Sequence, residues 1–277
     1  MKTIITHMSV DLDAIASCWL IKTFLPQWSG ADIVFTASGQ LWQNISVDSD
    51  QNSIYVDTGL GRFDHHQTTT HTCSSKLIFE FLSSKNHIEK KIYQGLKRFI
   101  ELITDLDHFA ECNFPDAASD RYDLSLHQLI GALKYTVNSD STVVNLTFPF
   151  LEAALQVFIS KVKAEEEIKT GCTFISKWGK SIIMATKNQE AMKLSQKIGY
   201  SLVVTKDPDR GFVRIKIPPQ SKDDLTPLYK KIKKLDPKAY WYFHISKHML
   251  LNDTSQNPTA IPSSLTLQQL IDIIKRV

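Results

Sequence analysis

Cysteine, unbalanced charge and long apolar runs are all scarce in this chain. Its four cysteines, Cys18, Cys73, Cys112 and Cys172, form no CxxC or other tight pair. That excludes a zinc knuckle and a disulfide framework, and the four read as buried thiols in a reducing cytoplasm. The 32 Lys and Arg nearly balance 29 Asp and Glu, for a formal charge of +3. There is no global polybasic character, so a nucleic acid would have to be held by a local patch. No segment reaches the ~20 apolar residues that span a bilayer. The apolar run in Met1-Lys2-Thr3-Ile4-Ile5 is too short for a signal peptide. No internal repeat or low-complexity segment interrupts the chain.

What is present suits a globular protein of one large or two ordinary domains. Of 277 residues, 43% are hydrophobic and 22% charged, enough to build real cores. Residues 2–6, 31–36 and 53–57 read as strands. Residues 12–25 read as a helix: Ala14, Ile15, Cys18, Trp19 and Lys22 recur at three and four, and Pro26 ends it. Strand, helix, strand at this spacing predicts a parallel α/β sheet, whose site lies beyond the carboxyl ends of the strands. Helices follow over 73–86 and 87–110, with Lys85, Lys90, Lys91, Lys97 and Arg98 as a solvated face. A polar loop at 111–121 leads to helices over 125–137 and 150–169, the latter ending at Gly171.

Beyond that long helix the pattern changes. Residues 173–177 and 181–186 read as a hairpin around Trp178-Gly179-Lys180, followed by a helix over 189–198. Strands at 200–205 and 212–217 flank the turn Asp207-Pro208-Asp209-Arg210-Gly211. A helix over 223–235, a strand at 241–244 and a helix over 266–276 complete the chain. The expected division is an α/β domain over 1–148, a connecting helix over 149–170 and a smaller α+β domain over 171–277.

The chemistry concentrates in three short segments. His7-Met8-Ser9-Val10-Asp11-Leu12-Asp13-Ala14 puts an imidazole and two carboxylates on a strand-to-helix turn. Ile54-Tyr55-Val56-Asp57 ends a strand in an aspartate, and Asp64-His65-His66 adds a carboxylate and two imidazoles. Each has an ordinary use. An aspartate before a helix is a favoured N-cap, Asp-Thr-Gly starts turns, and a histidine pair can be surface polar. Together they supply oxygen and nitrogen donors suited to Mn, Fe, Co or Zn. Converging at one sheet edge, they would form a two-metal hydrolytic site. Four aspartates without a cation would repel each other and any phosphate.

His7-x-x-x-Asp11-x-Asp13-Ala14, Val56-Asp57 and Asp64-His65-His66 resemble the first three motifs of the DHH phosphoesterase superfamily. The run Arg62-Phe63-Asp64-His65-His66-Gln67 is closer to the Myg-type exonuclease family, which carries a similar Tyr-Asp-His-His-Gln signature. Phe99 to Asp107 resembles the acidic fourth motif. Phe212-x-Arg214-x-x-x-Pro218 and Phe243-His244 echo the same family. Val10 replaces the usual proline, and neither a Gly-Gly-Gly-His nor a Ser-Arg-Lys run occurs. The resemblance implies two divalent cations, usually manganese. His7 and Asp11 would bind the first; Asp13, His65 and a fourth-motif aspartate the second; Asp57 would bridge both. His66 would face the substrate phosphate. Asp105 and Asp107 both fit the fourth motif, and the alignment of Phe99 and Glu101 favours Asp107.

The expected function is therefore a manganese-dependent phosphoesterase, an exonuclease or oligonucleotide phosphodiesterase acting on single-stranded RNA, DNA or short oligonucleotides. The alternatives are a pyrophosphatase-like hydrolase and a non-catalytic nucleotide- or metal-binding module. Arg210, Arg214, His244 and Lys247 are candidates for binding substrate, since arginine suits bidentate phosphate contacts. Each one alone reads equally as a surface cation or a structural histidine. Trp178, Tyr240, Trp241 and Tyr242 offer stacking faces but fit an apolar core better. No membrane partner is expected, and a homodimer is compatible with this reading.

Overall fold

The computed structural model describes residues 1–37, 39–252 and 259–277. They divide into two units, Met1–Ile159 and Ser160–Val277. The chain is α/β, as the sequence predicts, with a parallel three-stranded sheet in the first unit and a mixed six-stranded sheet with helices in the second, where an α+β domain is expected.

The first unit begins with the β-branched run of β1 (Thr3–His7), buried from Thr3 to Thr6. It is the centre of a parallel sheet between β2 (Asp32–Thr36) and β3 (Ser53–Tyr55), with Thr3 level with Asp32 and Ser53. The crossover helix α1 (Leu12–Phe24) is buried on every side from Leu12 to Ile21. Small Ala14, Ala16 and Ser17 permit that, because neighbouring elements can approach its backbone. Around it lie α2 (Ser74–Ser84), α3 (Lys90–Asp107), α4 (Leu126–Thr136) and the first half of α5 (Asp140–Thr170). Trp19 meets Phe24 and Phe99 edge-on in the core. Fully burying each such side chain contributes about 1.5–3 kcal/mol.

Three expectations need correction here. The long helix starts at Asp140, well before residue 150, and contains Pro149. The proline deprives the Asn145 carbonyl of its helical donor, but Asn145 is exposed and water can serve instead. By length and composition α5 is also apolar enough to cross a membrane, contrary to the count of uninterrupted apolar residues. Its Val143, Val144, Leu151 and Leu155 pack in the core of the first unit, and its Ala164 and Ile168 in that of the second. Finally, only Cys18 and Cys73 are buried; Cys112 lies on a short 3-10 turn and Cys172 opens an edge strand, both exposed.

The second unit is a six-stranded mixed sheet in the order β4 (Cys172–Ser176), β5 (Gly179–Ala185), β6 (Leu202–Lys206), β7 (Val213–Lys216), β9 (Met249–Leu251), β8 (Tyr242–Phe243). Only β5 and β6 run parallel, joined through α6 (Gln189–Lys197). α7 (Thr226–Leu235) and α8 (Leu267–Lys275) supply apolar faces, and Thr266 with Gln269 forms a capping box on α8. β9 has only three residues and gave no readable signal. Trp178 and Trp241 are buried in this core, while Tyr240 and Tyr242 stay partly exposed.

One close approach fixes how α3 and α5 meet. A Cβ on Gly95 would lie 2.9 Å from the backbone N of Ile159 and 3.0 Å from its Cα. Alanine at a helix interior is ordinarily better than glycine by about 1 kcal/mol. Here the clash with a rigid helix backbone outweighs that gain. Gly95→Ala should destabilise the first unit by about 1–3 kcal/mol. Denaturant unfolding checks this; an unchanged or raised midpoint would show that the helices are not so tightly set.

Candidate metal centre

The site is assembled at the carboxyl edge of the three-stranded sheet. His7 is the last residue of β1. After it the chain turns through Ser9, at φ +59°, to Asp11, whose Oδ1 accepts from Ala14 N at 3.0 Å and caps α1. The turn is held from a distance. Asp140, the first residue of α5, accepts from Ser9 N at 2.9 Å and Val10 N at 3.2 Å. Lys134 Nζ donates to Ser9 O.

Asp57 follows β3 at φ +53°, a left-handed conformation that aspartate tolerates better than most residues. Its buried carboxylate faces two imidazoles. Oδ2 lies 3.1 Å from His7 Nε2, and Oδ1 lies 3.2 Å from His65 Nε2. His7 Nε2 is also 3.9 Å from Asp11 Oδ2, and His65 Nε2 is 3.5 Å from Asp107 Oδ2. Asp107 closes α3, where a carboxylate opposes the negative end of the helix dipole. Asp105, two residues earlier, turns instead to His71 at 3.1 Å.

Asp64 organises the loop that carries the histidines. It accepts from Leu60 N at 2.7 Å, from His66 N at 3.1 Å and from His66 Nδ1 at 2.6 Å. That fixes the His66 tautomer with Nε2 as the remaining ring atom. Asp13 is buried in the first turn of α1. Its oxygens accept from Ser74 N at 2.7 Å and Ser75 N at 2.9 Å, tying α1 to the first turn of α2.

The charges are strained. Burial disfavours a charged His7, but its contacts with Asp57, the Met8 carbonyl and Asp11 outweigh this and raise its pKa to about 9. Asp57, with Asp107 and Asp13, raises His65 to about 9 against its burial. Burial would raise Asp57, yet His65 and His7 hold it down at about 2. Burial and repulsion from Asp57 push Asp13 up to about 7, and burial with Asp57 and Asp11 pushes Asp107 upward.

Among the described residues, three overlapping groups of donor atoms could hold metal ions: His7, Asp11 and Asp57; Asp57, His65 and His66; His65, Asp107 and His108. The residues fit such a role. Among the described residues, buried Asp57 Oδ1 is met by the His65 ring at 3.2 Å as a charge contact but by no well-aligned hydrogen bond. A buried carboxylate oxygen left in this way is costly unless a cation completes it. The centre opens into a cavity of about 600 Å³, within the range of small-ligand sites. A smaller one of about 220 Å³ touches Asp11, Asp13 and Asp107 from the α4 side, where His127 and Lys134 join its wall.

Six of the sequence-derived residues are thus brought together: His7, Asp11, Asp57, His65, His66 and Asp107. Asp13 lies beside them, outside the three donor groups. Arg210 and Arg214 line a different cavity, in the second unit. His244 and Lys247 build the β8–β9 turn instead. His244 Nδ1 accepts from Ser246 N at 3.1 Å, and Lys247 N donates to His244 O. Sequence reading missed Asp64 as an orienting group, although it stands in the motif. It also missed His108, next to Asp107, and Asp140, which is 131 residues from Ser9 and gave no local signal.

The model of the MYG1_exonuc family, described as an uncharacterised protein family (UPF0160), matches residues 3–198. The match covers both the centre and the start of the second unit, and the chain belongs to that family. No curated protein matches the chain.

The raised pKa values of His7 and His65 have a sign that can be tested. Below about 9 both imidazoles carry protons in the cation-free protein. A cation needs those lone pairs, so its binding must release protons. Apparent affinity for Mn²⁺ should rise from pH 7 towards 9, roughly tenfold per pH unit for each proton displaced, and then level off. Calorimetry in buffers of different ionisation enthalpy counts the protons. Affinity independent of pH across this window would contradict the arrangement.

Proposed function

We propose that the centre holds two divalent cations, manganese foremost, and that the protein hydrolyses phosphodiester bonds of single-stranded nucleic acid or short oligonucleotides. One observation carries this reading: the two oxygens of Asp57 face two separate donor groups, His7 with Asp11 on one side and His65 with Asp107 on the other. A carboxylate so placed is suited to bridging. Cations held by His7 with Asp11 and by His65 with Asp107, with Asp57 between them, would make a water nucleophilic near neutral pH and would offset charge on the transferring phosphoryl oxygens.

The chain's own groups have distinct tasks. Asp57 joins the two halves. Asp11 both caps α1 and turns Oδ2 toward the first cation position, so helix and ligand are fixed together. Asp107 serves the second position, where its cost at a helix C-terminus is repaid. Asp13 contributes there only through lone pairs not already used by Ser74 and Ser75. His66, with Nδ1 held by Asp64, offers Nε2 to the substrate phosphate or the leaving oxygen. Arg210 and Arg214 are assigned to substrate anions, whereas the hydrogen-bonded turn around His244 and Lys247 favours a structural role for that pair.

The deciding experiment supplies Mn²⁺ and measures phosphate or nucleotide release from pyrophosphate, a cyclic dinucleotide, a dinucleotide and single-stranded RNA. Release from the last two supports the reading. Release from pyrophosphate alone would favour the small-substrate alternative, and none from any would leave a binding module. Asp57→Ala should lower the rate on the order of a thousandfold or more with the fold intact, because both cation positions lose a ligand. Near-normal turnover would reduce Asp57 to a turn residue.

The two adjacent histidines should separate. His65→Ala should weaken Mn²⁺ affinity and be partly rescued by excess metal. His66→Ala should leave metal affinity nearly unchanged and lower the rate at every Mn²⁺ concentration, by about 10²–10⁴-fold if it supplies a proton. Rate against Mn²⁺ for both variants decides the matter, and equal rescue of the two would abolish the division.

A further inference from the structure

The formal charge of +3 conceals a division between the two units. Met1–Ile159 holds 11 Lys and Arg against 18 Asp and Glu, whereas Ser160–Val277 holds 21 against 11. The second unit is therefore strongly basic, and α7 alone carries Lys230, Lys231, Lys233 and Lys234.

Within that unit a cavity of about 230 Å³ opens where the parallel strands β5 and β6 end. Its wall includes Lys187, Asn188, Thr205, Asp207, Arg210 and Arg214. The carboxyl ends of parallel strands and the first turn of the following helix are where α/β units gather anions. Asp207 is occupied with its own turn: it accepts from Asp209 N, Arg210 N and Arg210 Nε, the last at 3.0 Å. Asp209 pairs with Lys187. Arg214 is a third cation on the same wall. Outside the cavity wall, Lys216 lies near Arg214 and near Lys193, which pairs with Glu190 at 3.6 Å. Burial, then repulsion from Arg214 and Lys193, holds the Lys216 ammonium below its usual range.

We propose that this cavity binds one phosphate of a nucleic-acid backbone, with Lys187, Arg210 and Arg214 as its contacts, and that it does so without a divalent cation. Size and charge select the ligand. Pockets that enclose a drug-sized ligand run to about 300–1,000 Å³, and this one, at about 230 Å³, is smaller. A single free anion cannot use so large a surplus of basic residues, whereas a polyanion releases counterions at each phosphate it places. The inference deepens the function proposed above by assigning a surface to its substrate, and rests on that reading only for the identity of the anion's carrier.

The test uses the full chain in EDTA and a short labelled oligouridylate, read by fluorescence anisotropy. Binding should occur without metal and weaken steeply with salt. Lys187→Ala, at an exposed side chain outside the core, and Arg214→Ala should each weaken it severalfold. Each should also lower the slope of log K against log salt by about 0.7, the value of one phosphate contact on a single strand. Lys85→Ala, an exposed lysine of the first unit, should change neither. No binding in EDTA, or wild-type binding and slope in both variants, would overturn the proposal. So would uridine monophosphate or inorganic phosphate binding as tightly as the oligomer, or phosphatidylserine vesicles binding with the same dependence on Arg214. Because no hydrolysis is measured, a failure here is distinguishable from a failure of the cation centre.

Discussion

Crowded negative charge at one edge of the three-stranded sheet is the constraint around which the first unit is arranged. Asp11, Asp57 and Asp107 converge on two imidazoles, with buried Asp13 behind them. Two unit charges 4 Å apart interact with about 4 kcal/mol at the effective dielectric of a protein surface. Several such terms cannot be carried by a marginally stable fold without compensation. In the cation-free chain the compensation is protonic: His7 and His65 hold protons well above neutrality, and Asp13 is driven toward its neutral form. Divalent cations would replace those protons with a denser charge. The fit of the site to metal therefore follows from its electrostatics as well as from its donor atoms.

The same crowding explains why the supporting contacts are backbone contacts. A carboxylate repelled by its neighbours must be pinned by something other than those neighbours. Asp11 is pinned by the first turn of α1, Asp13 by the first turn of α2, and Asp64 by the N–H groups of Leu60 and His66. Asp140 works from the opposite direction, with an acid at the start of α5 accepting from the turn between His7 and Asp11. Helix N-termini thus stabilise three of the aspartates in or around the centre. Asp107 is the exception. It sits at a helix C-terminus with the dipole against it, and is the member whose placement most needs a cation to offset it.

Much of this was legible in the sequence. The order of strand, helix and strand came from hydrophobic spacing, and it located His7 and Asp57 at strand ends before any geometry was known. His7, Asp11, Asp57, His65 and His66 stand where chain reversals are expected, whereas Asp107, inside the helix expected over 87–110, is named through the family resemblance alone. What could not be read is long-range or many-sided. α1 is buried all round, so its apolar spacing understated its place at the centre of the core. The helix expected over 150–169 runs back through Pro149 to Asp140, and the cost of that proline depends on whether Asn145 is solvated, a tertiary fact. Asp140 holds a turn 131 residues away, and no local pattern announces such a contact. For His244, an imidazole at the end of an aromatic strand reads alike as a ligand contact and as a turn hydrogen bond.

The unequal charge of the two units carries the physics one step further. A centre made of carboxylates attracts cations, and until they bind it repels a phosphate backbone. A basic surface attracts that backbone but would repel the cations. Placed on one surface, the two would neutralise each other and serve neither ligand. Here the excess of acid belongs to the first unit and the excess of base to the second. The near-neutral whole is then the sum of an acidic unit and a basic one, and net charge, read over the full chain, hides them.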